Sequence, residues 1–530
     1  MKLLSFILVF WGTAFFSVAQ DTKIVFLKED TKQIQTEHVT SHFSQKSLER
    51  RAKHKVLADQ YDVPVNEEIL SRLAEDGEIL SVSKWLNALT FKTTLTTSEL
   101  KEKHDFIDRI QTVHTSTKPR NDKFKVESGT KSIDYGAAAV QIEQLKIDCL
   151  HEQGYTGEGV YVGVIDAGFN NMDSVGYFDS VYLEGRVIET YNFVNTGQTV
   201  YDFSGHGTAV ASCIVGEGSN PDQYIGAAVD VDLALYLSED VSSETEIEEF
   251  YLVQALERAD SMGVELVNIS LGYFGFDDST TSHVYADLDG ATTIAAIGVN
   301  VAKSKGIFVT MAAGNSGPLN ISTPCDATGG FCVGAVTSGG DYAWFSSVGP
   351  TADGRVKPDV MARGGDAWFV NTLDSLGQGN GTSLATPIVC GGVACLMQAH
   401  PTKTVDEIMI AVRESASLYT TPNDSMGYGI PDFCLANDIL AGNVSVPGLD
   451  EALISIYPNP TAANLQITGL NNEEVELLIY DNLGKIVLEE NGKAKNGKLT
   501  IDLSPLSNGV YNLFLYQSGT QVHRKVSVSK

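Results

Sequence analysis

Beyond its first residues the sequence has no run of about 18 apolar residues, so no membrane-spanning helix is expected in the mature chain. Basic residues are scarce: 37 Lys and Arg stand against 67 Asp and Glu, a formal charge of −30. That balance argues against nucleic acid or anionic lipid as a main partner. No C-x-x-C pair and no His/Cys cluster is present, which removes a structural zinc site. The G-x-S-x-G elbow of the α/β-hydrolases is missing as well. Collagen, coiled coil and wholesale disorder are excluded by the mixed composition, with 49 Gly among 530 residues. With 43% apolar residues, the chain can bury more than one core.

The start of the chain reads as an export signal over residues 1–19. Met1-Lys2 is a short basic start, Leu3 to Phe16 is apolar, and Ser17-Val18-Ala19 is a small-x-small cleavage site. Charge then divides the remainder. Residues 20–130 carry 18 basic and 18 acidic side chains, whereas residues 131–530 carry 18 basic and 49 acidic. A neutral leader on an acidic body suggests two parts with different fates, although a solvated acidic surface explains the charge equally well. Seven Cys in an exported chain leave at least one thiol without an internal partner. Cys325 and Cys332 bracket a Gly-Gly loop and are expected to staple it, since export permits oxidation. Cys213, Cys390 and Cys395 lie in apolar helix-like runs and read as buried small hydrophobes.

Three folded parts are expected. Within 20–130, the second half reads strand (85–94), helix (from Ser98-Glu99 to about 110) and strand (110–117), followed by a polar, cleavable linker from Thr115. From 131 to 442, short apolar runs at 160–165, 233–237, 264–271 and 306–313 alternate with helical stretches after Gly205, at 247–262 and 292–305, and after Ser383. That alternation is the pattern of a doubly wound parallel sheet flanked by helices, an α/β fold whose sites lie at the carboxyl ends of its strands. A linker at 443–452 precedes a small antiparallel β-sandwich at 453–530, with strands at 474–480, 485–488, 499–503 and 509–515. Turns are expected at 481–484, Asn491-Gly and Asn496-Gly.

Four polar residues stand out in the α/β part. Asp166 ends an apolar strand, a position often filled by a cap or turn former. His206 sits between two glycines at a helix start, where a neutral imidazole can serve as base. Ser383 opens an apolar helix in Gly381-Thr-Ser-Leu-Ala-Thr-Pro387; a plain N-cap is the ordinary reading, and a nucleophile facing helix-start N–H groups the sharper one. Asn315, between Gly314 and Ser316-Gly317 after a buried strand, is either a turn residue or an amide donor aimed at a developing negative charge.

Together, Val162-Gly-Val-Ile-Asp-Ala-Gly168, Gly205-His-Gly-Thr-Ala-Val-Ala-Ser212, Val267-Asn-Ile-Ser-Leu-Gly272, Ala312-Ala-Gly-Asn-Ser-Gly317 and Gly381-Thr-Ser-Leu-Ala-Thr-Pro387 closely resemble the subtilisin-like serine proteases over about 131–442. The order Asp, His, Ser is that of subtilisin. Lys357-Pro-Asp-Val and Gly427-Tyr-Gly-Ile-Pro resemble late structural motifs of that family; Ala209 and Ala362-Arg-Gly depart from it without touching the reaction. The resemblance implies Ser383 as nucleophile, His206 as general base then acid, Asp166 as the group orienting His206, and Asn315 with the Ser383 N–H as oxyanion hole. It implies that Ser270, Leu271 and Gly272 pair with a protein or peptide substrate as an added strand, that Ala312, Ala313 and Gly314 wall the pocket before the cut, and that the Cys325–Cys332 loop lies near that pocket's floor or rim. No cofactor is needed for such chemistry. Residues 20–130 resemble the family's propeptide, an inhibitor and folding template with self-cleavage expected between about 115 and 133. The terminal module, with Ile456-Tyr-Pro-Asn-Pro460 and Gly509-Val-Tyr-Asn-Leu-Phe514, resembles the type A sorting domains of the type IX secretion system of Bacteroidetes, which implies passage to the exterior or the cell surface through secretion machinery. A plain surface-binding sandwich is the alternative there.

Two further readings concern acids. Six carboxylates between Glu239 and Phe250 either favour Lys or Arg upstream of the cut or form a solvated helix start. Asp287-Leu-Asp-Gly290 offers two carboxylates that could belong to a structural calcium site, or be helix caps, since Ca²⁺ takes six to eight oxygens. The rival functions are an esterase on a similar site and a catalytically silent adhesion protein on the same fold.

Overall fold

A computed structural model describes residues 21–32, 43–113, 135–219, 222–443, 454–468, 470, 474–480, 485–495, 497–517 and 520–530. The export signal, the expected self-cleavage region and nearly all of the 443–452 linker lie outside the described residues, as does the 481–484 turn.

The N-terminal part forms an antiparallel sheet of β1 (Asp21–Leu27), β2 (Glu78–Ser83), β3 (Ala88–Thr93) and β4 (Ile107–Thr112), in the order β2-β3-β1-β4. Helices α1 (Gln45–Lys53), α2 (Glu67–Ala74) and α3 (Thr97–Lys103) accompany it. Thr96 and Glu99 form a reciprocal capping box at the start of α3. The helix expected to reach 110 stops at Lys103, because Phe106 and Ile107 turn into the core and β4 pairs with β1 from Ile107. The strand expected from 85 begins only at Ala88. Residues before it make a turn whose Lys84 and Trp85 N–H groups donate to the Glu257 carboxylate (3.2 and 3.1 Å), and Asn87 takes a left-handed φ of 46°. The strand expected at 110–117 runs instead from Ile107 to Thr112.

The central part begins with α4 (Ala139–Glu143) and α5 (Ile147–Glu152), then β5 (Tyr161–Asp166), α6 (Asp179–Leu183), β6 (Val187–Asn192) and α7 (His206–Val215). A small hairpin, β7 (Glu217–Gly218) and β8 (Tyr224–Ile225), precedes β9 (Asp232–Leu237), α8 (Ile247–Met262), β10 (Leu266–Ile269), α9 (Ile294–Ser304), β11 (Phe308–Ala312), β12 (Phe331–Val336) and β13 (Val360–Arg363). The hairpin β14 (Ala367–Val370) and β15 (Leu376–Gly379) leads to α10 (Thr382–Ala399), α11 (Val405–Glu414) and α12 (Phe433–Leu440).

The large sheet runs β13-β12-β11-β10-β5-β9-β6, with every neighbouring pair parallel. Its central strands β5, β10, β11 and β12 are buried on both faces, as expected inside a parallel sheet, while the edge strand β6 is partly exposed. One face packs with α7 and α10, the other with α8 and α9. The α10 helix is long and apolar enough to pass for a membrane span, but 83% of it is buried as the central core helix. Ile24, Phe26, Trp85, Ala88 and Val113 join the α8/α9 cluster, so the N-terminal sheet extends the same core.

Disulfides join Cys325 to Cys332, as expected, and Cys149 to Cys434, a pairing left open by the sequence. The latter ties α5 to α12. Cys213, Cys390 and Cys395 are free and buried.

The C-terminal part adds β16 (Ser455–Tyr457), β17 (Asn464–Thr468), β18 (Glu474–Tyr480), β19 (Ile486–Lys493), β20 (Lys498–Asp502), β21 (Gly509–Gln517) and β22 (Thr520–Val528). Sheets β16-β17-β20 and β19-β18-β21-β22 enclose one apolar core that includes Leu465, Leu477, Leu513 and Val526. Asn491-Gly492, expected to turn, stays inside β19 because it pairs with Glu476 and Val475 of the long β18.

Candidate active site

Asp166 is the last residue of β5 and is completely buried. Its Oδ1 accepts the Ala167 N–H at 2.7 Å and faces His206 Nδ1 at 2.8 Å. His206 is the first residue of α7, and its N–H donates to Ser204 Oγ at 3.1 Å. The ring keeps 22% of its surface open to solvent. Gly207 is required on packing grounds: a Cβ there would lie 2.5 Å from the Gly168 carbonyl oxygen. A buried carboxylate fixed by a strand end and facing Nδ1 orients the imidazole ring.

Ser383 is not the N-cap of α10. That position is Gly381, which makes no side-chain cap, and Ser383 sits half-buried in the first turn. The helix start is secured from outside: Asn315 Oδ1 accepts the Thr382 N–H at 2.8 Å and the Thr382 hydroxyl at 3.0 Å, and the Gly314 N–H donates to Thr382 Oγ1 at 3.1 Å. Asn315 is therefore more than a turn residue. A Cβ on Gly381 would be 2.8 Å from Ser383 Oγ and 3.9 Å from Asn315 Nδ2, so both groups lie beside the same glycine.

The two halves meet through the sheet and the helices. β10 lies between β5, which carries Asp166, and β11, which leads to Asn315; α7 and α10 pack against each other. Ser270, just past β10, donates its hydroxyl to the Ser383 carbonyl at 2.9 Å and accepts from Asn268 Nδ2 at 2.9 Å. Ser270 is thus buried and spent on positioning, whereas Leu271 is half-buried and Gly272 exposed. Ala312 and Ala313 are buried behind Gly314; the Ala313 N–H donates to the Val333 carbonyl and its carbonyl accepts from Ser322.

Ser322, not singled out from the sequence, lies between the two expected substrate walls. Cβ atoms at Gly272 and Gly314 would come 2.8 Å from its Cβ and Oγ, respectively. The only local hint was its place just before the Cys325–Cys332 loop. That loop is anchored behind the site: Asp359 Oδ2 accepts the Cys332 N–H at 2.7 Å and pairs with Lys357 at 2.7 Å. Burial alone would raise the Asp359 carboxyl, but Arg413 and Lys357 hold it below the usual carboxylate range.

The acidic segment is not a solvated helix start. Glu246, Glu248 and Glu249 are buried. Glu248 accepts the Asp240 and Thr245 N–H groups at 3.0 Å each, Glu249 binds the His283 ring, and Glu239 accepts the Tyr273 hydroxyl. Burial raises Glu248 to about 8. Glu239, Glu248 and Glu249 are thus engaged inside the protein, whereas Asp240 and Glu244 are half-buried.

Asp287 and Asp289 are caps. Asp287 accepts the Val284 N–H at 2.8 Å, and Asp289 Oδ1 accepts the Ala291 and Thr292 N–H groups at 2.8 Å each. Among the described residues no group of three or more His, Cys, Asp or Glu is set to hold a metal ion.

A parallel α/β sheet that brings a buried Asp–His pair and a helix-start Ser to its carboxyl edge defines a serine-hydrolase type of site. Residues 157–429 match the subtilase family, residues 22–128 the peptidase S8 propeptide domain of Bacteroidota, and residues 455–529 the secretion system C-terminal sorting domain. The chain belongs to the subtilase family and is a serine endopeptidase. It is 32% identical over 305 residues to subtilisin of Bacillus pumilus, covering 57% of this chain and 97% of that protein. It is 31% identical over 292 residues to subtilisin E of Bacillus subtilis (strain 168), covering 54% and 67%. Among solved structures, the MycP3 protease from the type VII (ESX-3) secretion system is similar at 21% identity with a TM-score of 0.47, covering 58% of this chain and 90% of that one. The sorting domain implies secretion or attachment at the cell surface.

Proposed function

We propose that this serine endopeptidase cuts peptide bonds through an acyl-enzyme on Ser383. His206 Nε2 takes the Ser383 proton as Oγ attacks the scissile carbonyl, then gives it to the leaving amine; a water repeats the sequence to release the acid. Asp166 holds the imidazole tautomer and stabilises the imidazolium. Asn315 Nδ2 and the Ser383 N–H receive the oxyanion. The observation that carries this reading is the 2.8 Å contact between fully buried Asp166 and part-exposed His206.

Leu271 and Gly272 pair with no strand among the described residues, which leaves their backbone available for an added substrate strand. Gly314, with Ala312 and Ala313 behind it and Ser322 between it and Gly272, walls the pocket for the residue before the cut. Subtilases need no cofactor for the chemistry, and with Asp287 and Asp289 engaged as caps we assign no calcium there. Residues 20–130 inhibit the cleft until cut between about 115 and 133, and the terminal sandwich engages the secretion machinery.

Fluorophosphonate labelling and casein hydrolysis test the assignment. The wild-type chain should be labelled and blocked by PMSF, and Ser383→Ala should lose about 10⁶ in kcat, the magnitude established for subtilisin itself. A folded wild-type protein that neither labels nor hydrolyses casein would instead favour the silent adhesion protein.

A further inference from the structure

The propeptide-type segment grips the enzyme at the amino ends of the central strands, the opposite edge of the sheet from His206 and Ser383. Arg50 in α1 is 2% exposed, and every acceptor recorded for it belongs to the catalytic part. Its Nε donates to the Lys305 carbonyl at 3.2 Å, Nη1 to the Val264 carbonyl, and Nη2 to the Asp260 carbonyl at 3.2 Å and to the Asp260 carboxylate. Asp260 lies in the last turn of α8 and Lys305 is the C-cap of α9. Two helix C-termini, each with partial negative charge, therefore converge with a buried carboxylate. Five N–H donors on a rigid planar cation match such a set; a lysine ammonium does not span it.

The neighbouring Arg51 joins the same assembly. It donates to Asp260 and, at 3.1 and 2.6 Å, to Asp62; Asp62 in turn accepts from the Lys305 ammonium at 3.0 Å. Val264 and Lys305 precede β10 and β11, whereas Ser270 and Asn315 follow those strands, so this assembly lies about one strand length, roughly 13 Å, from the catalytic edge.

We propose that the amino edge of the sheet is an arginine socket, formed by Asp260, Val264 and Lys305, that holds the propeptide by Arg50 after the chain has been cut and delays its release. Loss of the propeptide strips buried acceptors of their cation and separates Lys305 from Asp62, a cost that opposes dissociation. Because the socket lies away from the cleft, it acts on release and not on chemistry.

The test follows the two-piece complex after cutting, by co-elution and by the lag before casein hydrolysis begins. Arg50→Lys and Arg50→Gln should release the propeptide about tenfold faster or more, with kcat/KM of the freed enzyme unchanged. Release at the wild-type rate overturns the socket. If the variants do not fold, the wild-type complex is compared in dilute guanidinium chloride and in sodium chloride of equal ionic strength. Faster release in guanidinium supports the socket, and equal release overturns it. A chain that fails to cut itself counts against the triad, not the socket; a Ser383→Ala chain cut at an engineered protease site within 114–134 yields the same complex for the same comparison.

Discussion

At the carboxyl ends of the central strands, His206 and Ser383 remain partly open to solvent: the His206 N–H donates to Ser204 Oγ and its ring faces Asp166, while the Ser270 hydroxyl donates to the Ser383 carbonyl. At the amino ends, Arg50, Asp260 and Lys305 are buried and bound by ionic hydrogen bonds that cross from one part of the chain to another. The first edge must admit a substrate, so His206 and Ser383 stay part-exposed and only Asp166 behind them is buried. The second need admit only a piece of the same chain, so it can bury charge fully paired, and removing one partner there is costly. One sheet thus supplies a working edge and a holding edge.

The largest test of that contrast is Asp166→Asn. It should keep the fold and lower kcat by about 10⁴, because the amide favours the wrong imidazole tautomer. Propeptide release from a complex cut at an engineered site should be unchanged; a change in both would mean that the edges are coupled. Asn315→Ala should cost about 10²–10³ in kcat with little change in KM. Since Asn315 Oδ1 also secures Thr382, Asn315→Asp separates the roles: it keeps an oxygen for the helix start and removes the donor, so activity should fall while the thermal midpoint holds.

Acid should act on the holding edge. Burial, then Lys53 and Arg50, push the His54 imidazole from 6.5 down to about 4, against the opposing pull of Asp406 and Glu407. Its ring packs on Gly306 of the catalytic part. The docked state therefore binds fewer protons than the free propeptide between these values, and docking weakens as pH falls from 6.5 towards 4. Asp62, which burial alone would raise but Arg51 and Lys305 hold below its usual range, adds a loss in the same direction at still lower pH. Release rates measured across this window should rise on acidification, with a flatter profile for His54→Gln. The smallest expected effect is none: a chelator should leave the thermal midpoint unchanged, because Asp287 and Asp289 already cap backbone N–H groups.

The working edge was readable because it is built from local patterns. Glycine beside His206 and before Ser383, an apolar run ending in Asp166, and Asn315 after a buried strand each mark a strand end or helix start within a few residues. The β10, α8 and β11 elements were equally visible from their apolar runs. The holding edge was not readable, since Arg50 and Asp260 are 210 residues apart and nothing near either one signals the other. The same distance problem hid the Cys149–Cys434 bridge, 285 residues long, while the seven-residue Cys325–Cys332 spacing was plain. The acids at 246–249 misled for a related reason: their composition suggests solvent, and only contacts with His283 and the 240–245 backbone reveal them as internal.

The order of elements, the alternation that makes a parallel sheet, and the residue types at strand ends follow from sequence, because propensity, periodicity and turn chemistry act over a few residues. Which carboxylates are buried, which cysteines pair, and where Arg50 goes were decided by the tertiary structure, because desolvation and ion pairing depend on groups that only folding brings together.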